Sequence, residues 1–201
     1  MNAPLTIACS ELILGGQRSG KSRRAELLAR QWLGAQPDRR AVLIATAQAW
    51  DDEMRQRIAR HQVDRAERVP GMQTVEEPVD LGAAISRHSS PDTLVVVDCL
   101  TLWLTNLLMP VVSGTEQHAE PEQHRASLAD APIQELLLSI ESAPGPVLLV
   151  GNEIGMGVIP MGAQVRSFVD TLGRLNQDVA RVCSRVTLMA AGLPLTLKGS
   201  E

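Results

Sequence analysis

The chain has 201 residues, 44% of them hydrophobic, and a formal net charge of −4, which suits one globular domain with a substantial core. One Phe, three Trp and no Tyr leave that core to aliphatic side chains, and the lack of a long Lys/Arg run excludes the concentrated positive patch that a nucleic acid or an anionic membrane would require. Cys9, Cys99 and Cys183 show no Cys-x-x-Cys spacing; they read as reduced thiols of a cytoplasmic protein, without a disulfide framework or a cysteine metal site.

Residues 1–10 form a tail that lacks the charged start and apolar core of a secretory signal, and no apolar run is long enough to span a bilayer. A short strand, Leu12-Ile13-Leu14, then runs into Gly15-Gly16-Gln17-Arg18-Ser19-Gly20-Lys21-Ser22 and on into a helix over 23–33. The spacing fits G-x-x-x-x-G-K-[ST] in its required context of strand before and helix after. Glycines at both ends let successive N–H groups curl toward phosphate oxygens at the positive end of the helix. Lys21 is placed to reach the terminal phosphates and the Ser22 hydroxyl to enter a Mg²⁺ shell. Residues 40–47 form a buried parallel strand, and ligands of open α/β sheets lie beyond the C-terminal strand ends. Ala45, Thr46 and Ala47 are therefore expected beside the phosphate loop.

A helix over 51–65 begins with an acidic turn that complements its dipole. Met54, Ile58 and His61 share one face, so by spacing alone His61 is either a packed or helix-end histidine or a catalytic one. A loop with a short extended piece at Gln73-Thr74-Val75 leads to Glu76-Glu77, and a short helix over 80–87 ends at His88, a surface or cap residue. The run 93–98 ends its four apolar residues in Asp98, which either holds a metal, as in phosphate-loop NTPases, or caps the helix over 100–108. Thr101 and Asn106 lie on that helix close to the site. Residues 110–130 read as a mobile insertion with His118 and His124 solvated. Helical spacing resumes over 133–140, a strand follows at 147–150, and Asn152 and Glu153 then either meet a ligand or mark an ordinary strand exit. A long amphipathic helix over 163–183 turns Arg174, Asn176 and Gln177 away from its apolar face. Two short strands, 186–191 and 193–197, close the chain, with Pro194 suited to a sheet edge.

Together GGQRSGKS, IATA, DDEMRQRIARHQVDR, TVEEP, VVVDCLTLWLTNLL, GNEIGMGVIP and VTLMAAGLPLTLK resemble the bifunctional adenosylcobinamide kinase / adenosylcobinamide-phosphate guanylyltransferase family of cobalamin biosynthesis, over about residues 12–198. The resemblance implies two transfers. The first moves a nucleotide's γ-phosphate from ATP or GTP to the aminopropanol hydroxyl of adenosylcobinamide; the second moves GMP from GTP onto that phosphate through a histidine–GMP phosphoramidate. By motif position that histidine is His61. The resemblance further implies that Lys21 and Asp98 act in catalysis and that Ser22 and Asp98 serve Mg²⁺. Gly15, Gly16, Gln17, Arg18, Ser19, Gly20, Lys21, Ser22, Ala45, Thr46, Ala47, Gln62, Val63, Asp64, Arg65, Glu76 and Asp98 would contact nucleotide, with Glu77 the alternative to Glu76. A homotrimer is implied as well.

Strands alternating with amphipathic helices predict a single-domain α/β fold over 1–201, a RecA-like P-loop NTPase sandwich of three layers, mainly parallel with a small antiparallel edge. The competing function is a RecA-like motor or regulatory ATPase or GTPase without a covalent intermediate. That class would present basic loops and stacking aromatics to a nucleic-acid partner, and the sequence has few of either.

Overall fold

The computed structural model describes residues 6–49, 51–109, 122–158 and 160–199. In chain order the elements are β1 (Ser10–Gly15), α1 (Lys21–Ala35), β2 (Arg40–Ala45), α2 (Asp52–Arg68), β3 (Met72–Glu76), α3 (Leu81–His88) and β4 (Thr93–Asp98). They continue with α4 (Leu100–Leu108), α5 (Glu122–Ser142), β5 (Val147–Val150), α6 (Ala163–Val182), β6 (Arg185–Ala190) and β7 (Leu193–Lys198). The strands form one seven-stranded sheet in the order β3-β2-β4-β5-β1-β6-β7. Every pairing is parallel except β6 with β7, so the mainly parallel sheet with a small antiparallel edge is as expected.

The apolar runs of β1, β4 and β5 are continuous because the sheet is covered on both faces. Side chains alternate between two cores. Leu12 and Leu14 of β1, Val95 and Val97 of β4 and Val147 and Leu149 of β5 join Trp103, Leu136 and Leu175 on one face. Ile13, Leu94, Val96, Leu148 and Val150 join Ala25, Leu28 and Trp32 of α1 on the other. The result is three layers, helix, sheet and helix. Among the described residues no helix is long and apolar enough to cross a membrane.

Two boundaries differ from the sequence reading by more than two residues. Helix α2 runs on to Arg68 because Val69, 2% exposed, docks on the α1-side core and donates its N–H to the Arg65 carbonyl at 2.8 Å. Helix α5 starts at Glu122, so the stretch 122–130 belongs to a helix. Ala129 is the first of its described side chains and lies in the core, and the sequence of the opening turns carries no regular apolar period. The rest of the expected insertion, 110–121 with His118, and the His124 side chain lie outside the described residues.

Candidate nucleotide-binding and transfer site

Parallel strands deliver their C-terminal ends to one edge of the sheet, and four segments meet there: the loop after β1, the ends of β2 and β4, and the loop after β5. In the first, Gly15 has φ 152°, and a Cβ there would stand 2.5 Å from the Met189 carbonyl and 2.6 Å from Ser19 Oγ. A side chain at this position would force β1 and β6 apart, so the motif's first glycine is a packing requirement. Arg18 lies in the left-handed region at φ 56° and Gly20 at φ 103°, which curls the backbone before α1 begins. The Gly192 N–H donates to Ser19 O at 2.9 Å, so the β6–β7 turn buttresses the loop from behind.

Lys21 is 8% exposed and folds back to donate from Nζ to Gly16 O at 2.6 Å. Burial lowers its pKa from the ordinary 10.5, while Cys99 and Asp98 raise it. Cys99 itself is pushed up to about 11, mainly by burial. It is therefore a neutral thiol at physiological pH.

Asp98 closes β4, and Arg65 reaches it from α2 with Nη2 3.7 Å from Oδ2. Ser22, Glu26, Arg65 and Asp98 line one small cleft with Leu43, Val96 and Val150 at its apolar base. Arg65 Nε is buried there with no hydrogen-bond partner among the described residues, and so is Ser19 Oγ within the loop beside Gly15. Unpaired buried donors are costly and are ordinarily satisfied by something bound. A hydroxyl and a carboxylate in one cleft are the hard oxygen donors that suit Mg²⁺, which takes one or two protein ligands beside substrate phosphates. Ser22 and Asp98 therefore fit the ion.

His61 is exposed on α2. It lies one turn before Arg65 on the same helix face, and Arg65 is the side chain that α2 sends to Asp98. Gln62 and Val63 are exposed on the same turn, while Asp64 pairs with Arg68, which also reaches Glu26 of α1.

Thr46, 0% exposed, is fully occupied. Its N–H donates to Asp98 O, and its Oγ1 donates to Cys99 O and accepts from Cys99 N; its carbonyl accepts from Asn106 Nδ2 at 2.8 Å. Thr46 is thus a tie between β2 and β4, flanked by the half-buried Ala45 and Ala47. Asn106 also donates to Pro78 O at 3.0 Å, so α4 holds the ends of β2 and of the post-β3 loop together. The two glutamates at the end of β3 separate clearly. Glu77 Oε1 accepts the N–H groups of Val79 and Asp80 ahead of α3, whereas Glu76 is exposed at the strand end beside Ala45.

The β5 exit supplies a residue that sequence reasoning turned the wrong way. Asn176, expected to face away, is 4% exposed and donates from Nδ2 to Asn152 O at 3.1 Å and to Glu153 Oε2 at 3.3 Å. Thr101 Oγ1 accepts from Asn152 N at 3.0 Å, and Glu153 N donates to Gly15 O at 3.2 Å. A polar residue beside the apolar stripe of α6 was the available signal, since a buried amide needs partners of its own.

Strand order, phosphate loop and acidic strand end together define a P-loop nucleotide-binding protein of the α/β class. Residues 11–197 match the family model for cobinamide kinase / cobinamide phosphate guanyltransferase, and the chain belongs to that family. It is 44% identical over 189 residues to the bifunctional adenosylcobalamin biosynthesis protein CobP of Pseudomonas aeruginosa, covering 94% of this chain and 97% of the relative. It is also similar to the bifunctional adenosylcobalamin biosynthesis proteins CobU of Escherichia coli, at 35% over 187 residues, and of Salmonella typhimurium, at 36% over 189 residues. Each of these alignments covers 93% of this chain and 98% of the relative.

Proposed function

We propose that this chain is a cytoplasmic, single-domain enzyme that phosphorylates adenosylcobinamide with ATP or GTP and then transfers GMP from GTP onto the new phosphate. The observation that carries the reading is the convergence of Ser22, Arg65 and Asp98 on one cleft, with buried Lys21 within electrostatic reach of Asp98 and His61 one turn along the helix face that supplies Arg65. The loop Gly15 to Ser22 cradles the phosphates through its backbone, and Lys21 exchanges the Gly16 carbonyl for phosphate oxygens. Ser22 and Asp98 would hold Mg²⁺, which neutralises charge on the transferring group when bound. Exposed Glu76 is the better placed carboxylate for the base or ribose, because Glu77 is spent on the start of α3.

In the guanylyl transfer a His61 ring nitrogen attacks the α-phosphorus of GTP. An N–P bond forms, the bond from that phosphorus to the α–β bridging oxygen breaks, and pyrophosphate leaves. A phosphate oxygen of the acceptor then displaces the imidazole, giving adenosylcobinamide-GDP and free His61. The covalent intermediate splits one hard exchange into two easier ones, and neutral imidazole is a competent nucleophile. Exposure of His61 leaves it open to a large acceptor. The working enzyme is a homo-oligomer, a trimer by family resemblance, and the exposed leucines of β7 are its candidate contact.

Purified protein incubated with adenosylcobinamide, ATP, GTP and Mg²⁺ is expected to yield first a species heavier by one phosphate and then one carrying GMP, by mass spectrometry. Nucleotide hydrolysis with an unchanged corrinoid would favour the motor or regulatory class instead.

A further inference from the structure

The kinase step leaves one group unassigned: the acceptor hydroxyl must lose its proton as it attacks. From the placement of the β5 exit we infer that Glu153 is the carboxylate that receives it. This rests on the kinase half of the family's activity and does not depend on a His61 intermediate.

Glu153 is bound to the phosphate loop by its own backbone, through the N–H bond to Gly15 O at 3.2 Å. The next carbonyl along, Gly16 O, is the one Lys21 Nζ occupies at 2.6 Å. The glutamate and the lysine that faces the transferring phosphoryl group are thus anchored to adjacent peptide units of one loop.

The carboxylate is also aimed. Asn176 is 4% exposed and spends its Nδ2 on Glu153 Oε2 and on the Asn152 carbonyl, so the side chain and the backbone beside it share one anchor. Thr101 fixes the Asn152 N–H from the opposite element. The second oxygen, Oε1, has no hydrogen-bond partner among the described residues, and the residue beside it is a glycine: a Cβ on Gly155 would sit 3.4 Å from that oxygen. One oxygen held and one open is the arrangement a general base needs.

The other acid at this edge is committed elsewhere. Asp98 faces Arg65 at 3.7 Å and lies in the cleft with Ser22, where a cation belongs. Glu153 forms no ion pair among the described residues, its carboxylate neighbours being an amide and a glycine. The chain that follows exposes Ile154, Met156, Val158 and Met161, the last two at 96%. That is apolar surface beside the acid, suited to the large corrinoid that carries the hydroxyl.

The step balances. The hydroxyl oxygen forms a bond to the γ-phosphorus, the bond from that phosphorus to the β–γ bridging oxygen breaks, and the nucleoside diphosphate leaves with that electron pair. The hydroxyl proton passes to Glu153 and from there to water.

The test compares wild type, Glu153→Gln and Glu153→Ala in the phosphorylation of adenosylcobinamide, with nucleotide affinity measured in parallel. Gln keeps the size and can still accept from Asn176, but it cannot take a proton. Its kcat is expected to fall about 100-fold to 10,000-fold, the ordinary worth of a general base, with the nucleotide Kd within about threefold of wild type. Added formate is expected to restore part of the rate of Glu153→Ala and none of that of Glu153→Gln. A Glu153→Gln kcat within about threefold of wild type would overturn the assignment, as would a loss matched by an equal loss of nucleotide affinity. GTP labelling of His61 uses no acceptor hydroxyl and reads the guanylyl-transfer proposal separately.

Discussion

Lys21 shows how a single buried charge can set the working range of the site. Burial pulls its pKa below 10.5, and phosphate binding needs the ammonium form. As pH rises through the lowered pKa the lysine goes neutral, so nucleotide affinity is expected to fall with rising pH, starting earlier than for an ordinary lysine. Titration of nucleotide binding from neutral pH toward 10.5 checks this, and Lys21→Met should bind weakly throughout with a flatter profile. The same shift has a stability sign: between the two pKa values the unfolded chain binds more protons, so this group's contribution to stability rises with pH. Residue roles differed in how far the sequence could show them. Lys21 was picked out by a motif whose spacing has a geometric cause, whereas the strand ending at Asp98 left that residue either a metal ligand or the cap of the next helix. Thr46 was legible as near the site, but the saturation of its hydrogen bonds by Cys99, Asp98 and Asn106 depends on contacts between distant segments. Asn176 was misplaced for the same reason, because its partners on the β5 exit lie more than twenty residues away in sequence.

At the scale of elements, the strands were the most legible parts, since a run such as 93–98 has few other uses than a strand covered on both faces. Helix ends were less so. The opening turns of α5 carry no regular apolar period in the sequence, while the last turn of α2 is fixed by Val69 and Arg65 finding the core and Asp98. β7 carries a consequence that no motif announces. Leu193, Leu195 and Leu197, at alternate positions of the edge strand, are 71%, 57% and 56% exposed. Edge strands with exposed apolar side chains are ordinarily covered. Burial of three leucines is worth about 1.5–3 kcal/mol each, enough to add materially to a subunit contact. Light scattering is expected to give a mass that is a multiple of the 21.7 kDa chain, with Leu195→Glu/Leu197→Glu shifted toward a single chain. A wild-type protein that runs at one-chain mass, or a double variant that leaves the assembly intact, would remove β7 from the contact.

Taken whole, the molecule places two kinds of machinery on one edge of its sheet. The phosphate loop, Asp98 and Arg65 sit where β1, β4 and α2 meet, and Glu153 hangs from the same loop through Gly15. His61 stands apart on the exposed part of α2, one turn before Arg65. The fold class followed from periodicity, and one motif marked the proposed phosphate site. The role proposed for His61 followed from neither, because an exposed histidine on a helix is chemically silent until a reaction is named for it, and the family resemblance supplied that reaction. The most direct test is incubation with GTP labelled at the α-phosphate and Mg²⁺, then denaturing electrophoresis with acid and alkali treatment, for wild type and His61→Ala. The account predicts label on the wild type that survives alkali, is lost in acid and is absent from His61→Ala. An unlabelled wild type under conditions where GTP binds, or equal label on His61→Ala, would contradict it.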